Sequence, residues 1–127
     1  MEYIFENGRP IYLQLVEKVR EEIVSGKLKQ GERLLSVREL AVKFKVNPNT
    51  MQKALAELED EKLVYTERTN GKFVTWDANL IYETKQKLAK EKIKNLLNDM
   101  ENIGITHKET LDYLQSMEVL KDGAIKM

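Results

Sequence analysis

Apolar positions along this chain fall at helical spacing, give way briefly to strand-forming residues, and return to helical spacing. From Pro10, which suits the first position of a helix, Ile11, Leu15, Val19 and Ile23 repeat every four residues. Val16 and Val24 widen that stripe, and Gly26 is its stop. A basic loop from Leu28 to Leu35, turning at Gly31, follows. Val37, Leu40, Ala41 and Phe44 then form a buried stripe at i, i+3, i+4 and i+7, and Ser36 with Glu39 has the spacing of a capping box. Asn47-Pro48 opens the next helix: a residue before proline is held extended, which suits an Asn cap. This helix, predicted from Pro48 to Lys62, turns Met51, Ala54, Leu55 and Leu58 inward. Its opposite face carries Asn49, Gln52, Lys53 and Ala56 and meets no carboxylate before Glu57.

Strand composition appears at Val64–Arg68 and again at Lys72–Trp76, separated by Thr69-Asn70-Gly71. An Asn-Gly pair between such runs signals a hairpin. Three helices followed by a two-stranded hairpin predict a winged helix-turn-helix over residues 1–77. Ahead of it, Tyr3, Ile4 and Phe5 are expected to pack as an arm, and Trp76 and Tyr65 to pack the wing onto the helices. Asp77 caps a longer helix to about Met100, stopped by Gly104. Tyr82, Gln86, Ala89, Ile93, Leu96, Met100 and Ile103 alternate at spacings of four and three, the seam of a helix packing on another helix. Thr106 and Glu109 form a second capping box, opening a last helix with Leu111, Leu114, Met117 and Leu120 inward and Lys121-Asp122-Gly123 as its close. The fold class is therefore mainly α with a small β-hairpin, with residues 78–127 as a helical dimerisation region.

Composition narrows the function by exclusion. The 127 residues include no cysteine and one histidine, which removes disulfides and thiolate zinc sites. No nucleophile–base pair or glycine-rich phosphate loop can be assembled, so neither an enzyme nor a bound cofactor or metal is expected. His107, beside a helix start, has no second ligand near it in sequence. No apolar run reaches membrane-spanning length and no signal-peptide pattern is present, which predicts a cytoplasmic protein without a membrane partner.

Net charge is zero, with 21 basic and 21 acidic residues, but the charges are segregated. From Lys27 to Lys53 there are seven Lys and Arg against two acids. Acids gather at Glu57, Glu59, Asp60 and Glu61. Phosphate attraction acts over about a Debye length, so a local basic excess can carry binding to double-stranded DNA. A helix-turn-helix presents the start of its second helix to base edges, and the carboxylate-free face of Asn49, Gln52 and Lys53 suits that role. A solvated charged face is the alternative reading of the charge alone.

Several separated strings together resemble the DNA-binding domain of the GntR family of bacterial transcription regulators: P-I-Y-x-Q-L, S-G-K-L-x-x-G-E-R-L, S-V-R-E-L-A, V-N-P-N-T and N-G-K-F-V. The short helical tail resembles the YtrA-like subfamily, by length and helix pattern. The resemblance implies a homodimeric repressor reading a palindromic operator, with transporter genes as its targets. It places DNA contacts at Arg38, at Asn47, Asn49 and Thr50, and at the wing residues Gly71 and Lys72. Arg33, Ser36, Pro48, Gln52, Lys53 and Asn70 complete the candidate interface. Tyr82, Ala89, Ile93, Leu96, Met100 and Ile103 are the candidate dimer residues. The chain departs from the family at Leu35, where proline is frequent, and at Gln52-Lys53, where an Arg pair is frequent.

Bland roles compete at several positions. Arg38 could pair with Glu39 or Glu57, Asn47-Pro48 could be only a helix start, and Asn70-Gly71 only a turn. The competing function is a winged-helix protein-interaction or architectural DNA-binding module without operator specificity. No effector is identified, and the tail is expected to be too small for a buried pocket of the usual ligand volume, roughly 300 Å³ or more.

Overall fold

Four side chains with no exposed surface, Met51, Ala54, Leu55 and Leu58, mark the helix on which the N-terminal part is built. The computed structural model describes residues 3–119 and 125–126 and forms two compact units, Met1–Lys85 and Gln86–Met127. In the first unit, α1 (Ile11–Val24), α2 (Val37–Phe44) and α3 (Pro48–Asp60) precede the hairpin β1 (Val64–Glu67) and β2 (Gly71–Val74). The inner face of α3 meets Leu15, Val16, Val19 and Ile23 of α1, Leu40, Ala41 and Phe44 of α2, and Leu63, Val64 and Val74 of the wing in one core. Leu80 and Ile81, in the first turns of α4 (Ala78–Asn102), pack against that core.

Local chemistry sets the element ends. Ser36 and Glu39 form the capping box of α2, each side chain bonded to the other's backbone amide at 3.1 Å. The Asn47 side-chain oxygen accepts the Asn49 amide at 2.7 Å, and Pro48 begins α3. Asp77 Oδ1 accepts the Leu80 amide at 3.0 Å and starts α4. The last helical residue of α3 is Asp60 rather than Lys62. Lys62 turns left-handed, at φ 67°, so that the Leu63 amide reaches the Leu58 carbonyl and Leu63 enters the core.

Three expectations for this unit change. Ile11 is exposed, because Gln14 takes the inward position at the start of α1. The Gln14 carboxamide, 1% exposed, accepts the Glu6 amide and donates to the Glu6 and Arg9 carbonyls, so it staples the lead-in to the helix. In the arm, Tyr3 packs edge-on against Phe5 and Phe44, while Ile4 alternates outward. Trp76 does not pack the wing onto the helices. Its indole is 68% exposed, lies over Gly31 and donates to the Tyr65 hydroxyl at 3.1 Å. Any side chain at Gly31 would meet that ring, since a Cβ there would stand 2.0 Å from it.

The wing also has a third strand-like member. The Leu34 amide donates to the Lys72 carbonyl, the Val74 amide to that of Glu32, and the Gly31 amide to that of Val74, at 2.8–3.0 Å. The basic loop therefore runs antiparallel along β2, with Arg33 opposite Phe73. Across the hairpin, Glu67 pairs with Gly71 and Val64 with Val74. The tip is thus Arg68-Thr69-Asn70, and Gly71 is the first residue of β2 rather than the turn.

In the second unit, the end of α4 turns at Gly104 into α5 (His107–Ser116), whose start is the expected Thr106–Glu109 capping box. Along the whole of α4 no residue is buried. Met117 is extended, so α5 stops at Ser116 short of the expected Leu120. Leu111 and Leu114, expected inward, are each 54% exposed; Thr110 is buried instead, its hydroxyl donating to the Thr106 carbonyl. Leu120 and the Lys121–Gly123 close lie outside the described residues. A short pairing of β3 (Glu118–Val119) with β4 (Ile125–Lys126) follows α5. Among the described residues no helix is long and apolar enough to cross a membrane.

The left-handed Lys62 yields a stability test. An L-residue there costs roughly 1–2 kcal/mol, partly offset because glycine loses more chain entropy on folding. Lys62→Gly is expected to stabilise the protein by about 0.5–1 kcal/mol, read as a raised midpoint in chemical unfolding.

Candidate nucleic-acid interface

The candidate interface is assembled by the capped start of α3, the exposed side of α2 and the wing. The three-residue turn Lys45–Asn47 joins the two helices. It reverses because Lys45 adopts a left-handed conformation, φ 57°, and the Val46 amide returns to the Ala41 carbonyl at 2.9 Å. Asn47, Pro48, Asn49 and Gln52 are exposed and Thr50 is half-buried at the start of α3. Its first turn contains no acid. The helix end therefore presents partial positive charge and polar side chains together.

Arg38 is exposed on α2 and makes no ion pair among the described residues, so neither Glu39 nor Glu57 claims it. Glu39 is occupied as the cap partner. Hydrogen bonds to Ser36, backbone first and side chain second, hold its carboxyl below the usual range, and the charge of Arg33 adds to this. Ser36 is thus placed by its capping role at the entry to α2.

Two other candidates are already engaged. The Lys53 ammonium stands 3.9 Å from the ring centroid of Tyr12 on α1, a cation–π contact. Lys72 Nζ donates to Glu59 Oε1 at 2.6 Å and to Thr66 Oγ1 at 3.0 Å, and its side chain is only 15% exposed. Burial raises the affinity of Glu59 for a proton, but the hydrogen bonds from Lys72 and Thr66 and the Lys72 charge outweigh it. The net effect holds the carboxyl below its ordinary range.

At the wing, the structure brings Arg33 and Gly71 together. A Cβ at residue 71, where φ is 101°, would lie 3.3 Å from the Arg33 Nε, so the glycine serves both the positive φ at the start of β2 and the passage of the guanidinium. Asn70 bonds its side-chain amide to Glu67 at 3.0 Å. The tip exposes Arg68, which the sequence reading assigned to the preceding strand. Its signal was a cation one residue before the Thr-Asn-Gly turn.

The candidate dimer residues divide between the units, Tyr82 in the first and the others in the second. Tyr82, Ala89, Ile93, Leu96 and Ile103 are exposed and Met100 is half-buried. Leu96, Met100 and Ile103 also line an open apolar recess of about 310 Å³ with Ile105, Tyr113 and Leu114.

Comparison with known proteins agrees with this geometry. The profile of the bacterial regulatory proteins of the gntR family matches residues 11–74, from α1 to the end of the wing. The repressor YtrA of Bacillus subtilis is 33% identical over 121 residues, covering 94% of this chain and 93% of that protein. A GntR family transcriptional regulator from Listeria monocytogenes has a similar structure, with a TM-score of 0.82 and 39% identity over 90% of this chain and all of that one. The DNA-binding domain of AraR, in complex with operator DNA, superposes with a TM-score of 0.55 and 28% identity, covering 59% of this chain and 96% of that domain. Family and relatives are transcription regulators and not enzymes. The chain belongs to the GntR family and is a sequence-specific, DNA-binding transcriptional regulator with a winged helix-turn-helix.

Proposed function

We propose that this regulator is a homodimeric repressor that reads a palindromic operator, with residues 1–77 on the DNA and 78–127 joining the two copies. The observation that carries the reading is the capped, carboxylate-free start of α3 with its exposed Asn49 and Gln52, together with an exposed Arg38 on α2 that makes no ion pair among the described residues. Gln52 can pair bidentately with adenine, whereas the Arg frequent at this position in relatives reads guanine. Arg38, Asn47 and Thr50 supply base or phosphate contacts around it, with Ser36 and Pro48 shaping the two helix starts. Arg33, Asn70 and Gly71 belong to the wing contact, and Lys53 lies at the edge of the interface.

The dimer reading rests on apolar surface. Ile93, Leu96, Ile103, Leu111 and Leu114 are each more than 40% exposed in the second unit. Isolated helices derive little stability from propensity and need an apolar face covered. A second copy packed on this face would cover it and set two α3 helices for half-sites about one helical turn (~34 Å) apart. Repression follows the relative YtrA, a transcriptional repressor, and transporter genes are the first place to look for the operator.

Selection from a random duplex library, followed by titration at two salt concentrations, tests the reading. A palindromic winner bound far more tightly than a scrambled duplex is expected; equal weak binding to both would favour the architectural or protein-docking alternative. On the selected duplex, Arg38→Ala is expected to weaken binding by about 1–3 kcal/mol if it makes a bidentate base contact. Gln52→Ala is expected to relax preference at one adenine position, and unchanged preference would remove the adenine assignment. In sedimentation, Leu96→Asp is expected to convert a dimer to a monomer while circular dichroism of the helices persists. A monomeric wild type at micromolar concentration would end the two-fold model.

A further inference from the structure

The wing must sit at a set distance from α3, because a duplex fixes the separation between its grooves and phosphate rows. One side chain links the elements whose spacing matters. Lys72, on β2, reaches Glu59 on α3 and Thr66 on β1, its cross-strand partner. Glu59 Oε1 also accepts the Thr66 hydroxyl, closing a three-membered ring of contacts. The Lys72 carbonyl meanwhile accepts the Leu34 amide, tying in the third strand-like segment. No other wing residue is bonded, among the described residues, to α3 through an ion pair.

An ammonium has three protons to give, and two of these are committed to a mostly buried, charge-assisted pair. One proton remains, but the side chain is only 15% exposed, so a phosphate brought onto it would share the ammonium with Glu59 and sit beside that carboxylate. Arg68, by contrast, is exposed at the wing tip with no partner among the described residues. We propose that Lys72 is a positioning residue which, through Glu59 and Thr66, sets the wing against the recognition helix, and that the wing's phosphate contact is made by Arg68. This rests on the DNA-reading role proposed above and reassigns one residue within it.

The sign of the Glu59 effect separates the two roles. If Lys72 neutralised a phosphate, removing the nearby acid would leave affinity unchanged or raise it, since a repulsive charge is lost. If Lys72 acts through Glu59, removing the acid lowers affinity. The full-length chain and the duplex selected by the wild type serve as the assay, with Glu59→Gln, Thr66→Val, Lys72→Met, Lys72→Arg and Arg68→Ala as variants. Glu59→Gln and Lys72→Met are each expected to weaken binding on the order of tenfold. Their double variant should lose no more than the worse single one, the mark of shared machinery. Lys72→Arg should retain most of the affinity, and Thr66→Val should show a smaller loss.

Salt dependence supplies the readout that distinguishes position from contact. The slope of log affinity on log salt should be unchanged in Glu59→Gln and Lys72→Met and should fall by about 0.9 in Arg68→Ala. Should Lys72→Met instead lose slope while Glu59→Gln binds as well as or better than wild type, Lys72 is a phosphate contact and the proposal is wrong. Unchanged binding in both Glu59→Gln and Lys72→Met would also overturn it. If the Lys72 variant is unfolded, the milder Glu59→Gln and Thr66→Val decide the matter by the same criteria. A wild type that selects no duplex removes the DNA-reading function itself, a failure visible before any variant is made.

Discussion

A helix that reads DNA has to be held rigidly by one side while the other side stays bare, and α3 meets both demands within thirteen residues. Its buried positions Met51, Ala54, Leu55 and Leu58 repeat at three and four, so the opposite positions Asn49, Gln52, Lys53 and Ala56 are forced outward by the same geometry. The rest of the unit follows from covering that inner face. α1 and α2 lie against it, and Leu63, Val64 and Val74 bring the wing to the same core. The turn before α3 is likewise constrained. It has three residues in which to reverse the chain and cap a helix, and it does so with a left-handed lysine and an asparagine that spends its side-chain oxygen on an amide.

The sequence was most legible where a single local rule governed a position. Both capping boxes, the Asn47-Pro48 start and the inner faces of α2 and α3 depend on neighbours within four residues, and periodicity and capping chemistry find them. Legibility failed where the partner lay far along the chain. Gln14 looks like an ordinary polar residue on a helix, yet it is buried because two carbonyls and an amide of the lead-in need it. Arg33 and its neighbours read as loop, since their hydrogen bonds go to residues about forty positions on. Trp76 is expected from the sequence to pack the wing onto the helices, but the surface it covers is a glycine, and no pattern announces that. The wing tip shifted by a residue for a related reason. The sequence pattern places a three-residue turn at Thr69-Asn70-Gly71, whereas Glu67 pairs with Gly71 and the loop is Arg68-Thr69-Asn70, of the same length one residue earlier.

In the candidate interface the same distinction holds. The exposed polar face of α3 is a local consequence of helix period and was visible in the sequence. What each cation does there was not, because charge in a sequence carries no partner. Lys53 and Lys72 counted equally with Arg38 as basic residues, but one stands over Tyr12 and another is held by Glu59. Arg38 keeps its charge unshared among the described residues.

That accounting also resolves the zero net charge. The four acids Glu57, Glu59, Asp60 and Glu61 would oppose DNA if all were bare, since three lie on the recognition helix and the fourth caps its end. Two of them are committed: Glu59 to Lys72 and Thr66, and Glu61 to both arms of the Arg20 guanidinium, at 2.9 and 2.5 Å. A paired carboxylate projects a dipole rather than a charge, and a dipole fades faster with distance than the Coulomb field of an ion. The Arg20–Glu61 fork fastens α1 to the end of α3, and the Lys72 contact fastens the wing to its last turns. The acids thus convert basic residues that would only add diffuse attraction into fixed geometry for α3. Exposed positive charge remains on α2 and at the wing tip, at Arg38 and Arg68 among others. A chain with as many acids as bases can attract phosphate in this way because two of the acids nearest the reading helix are consumed in holding it in place.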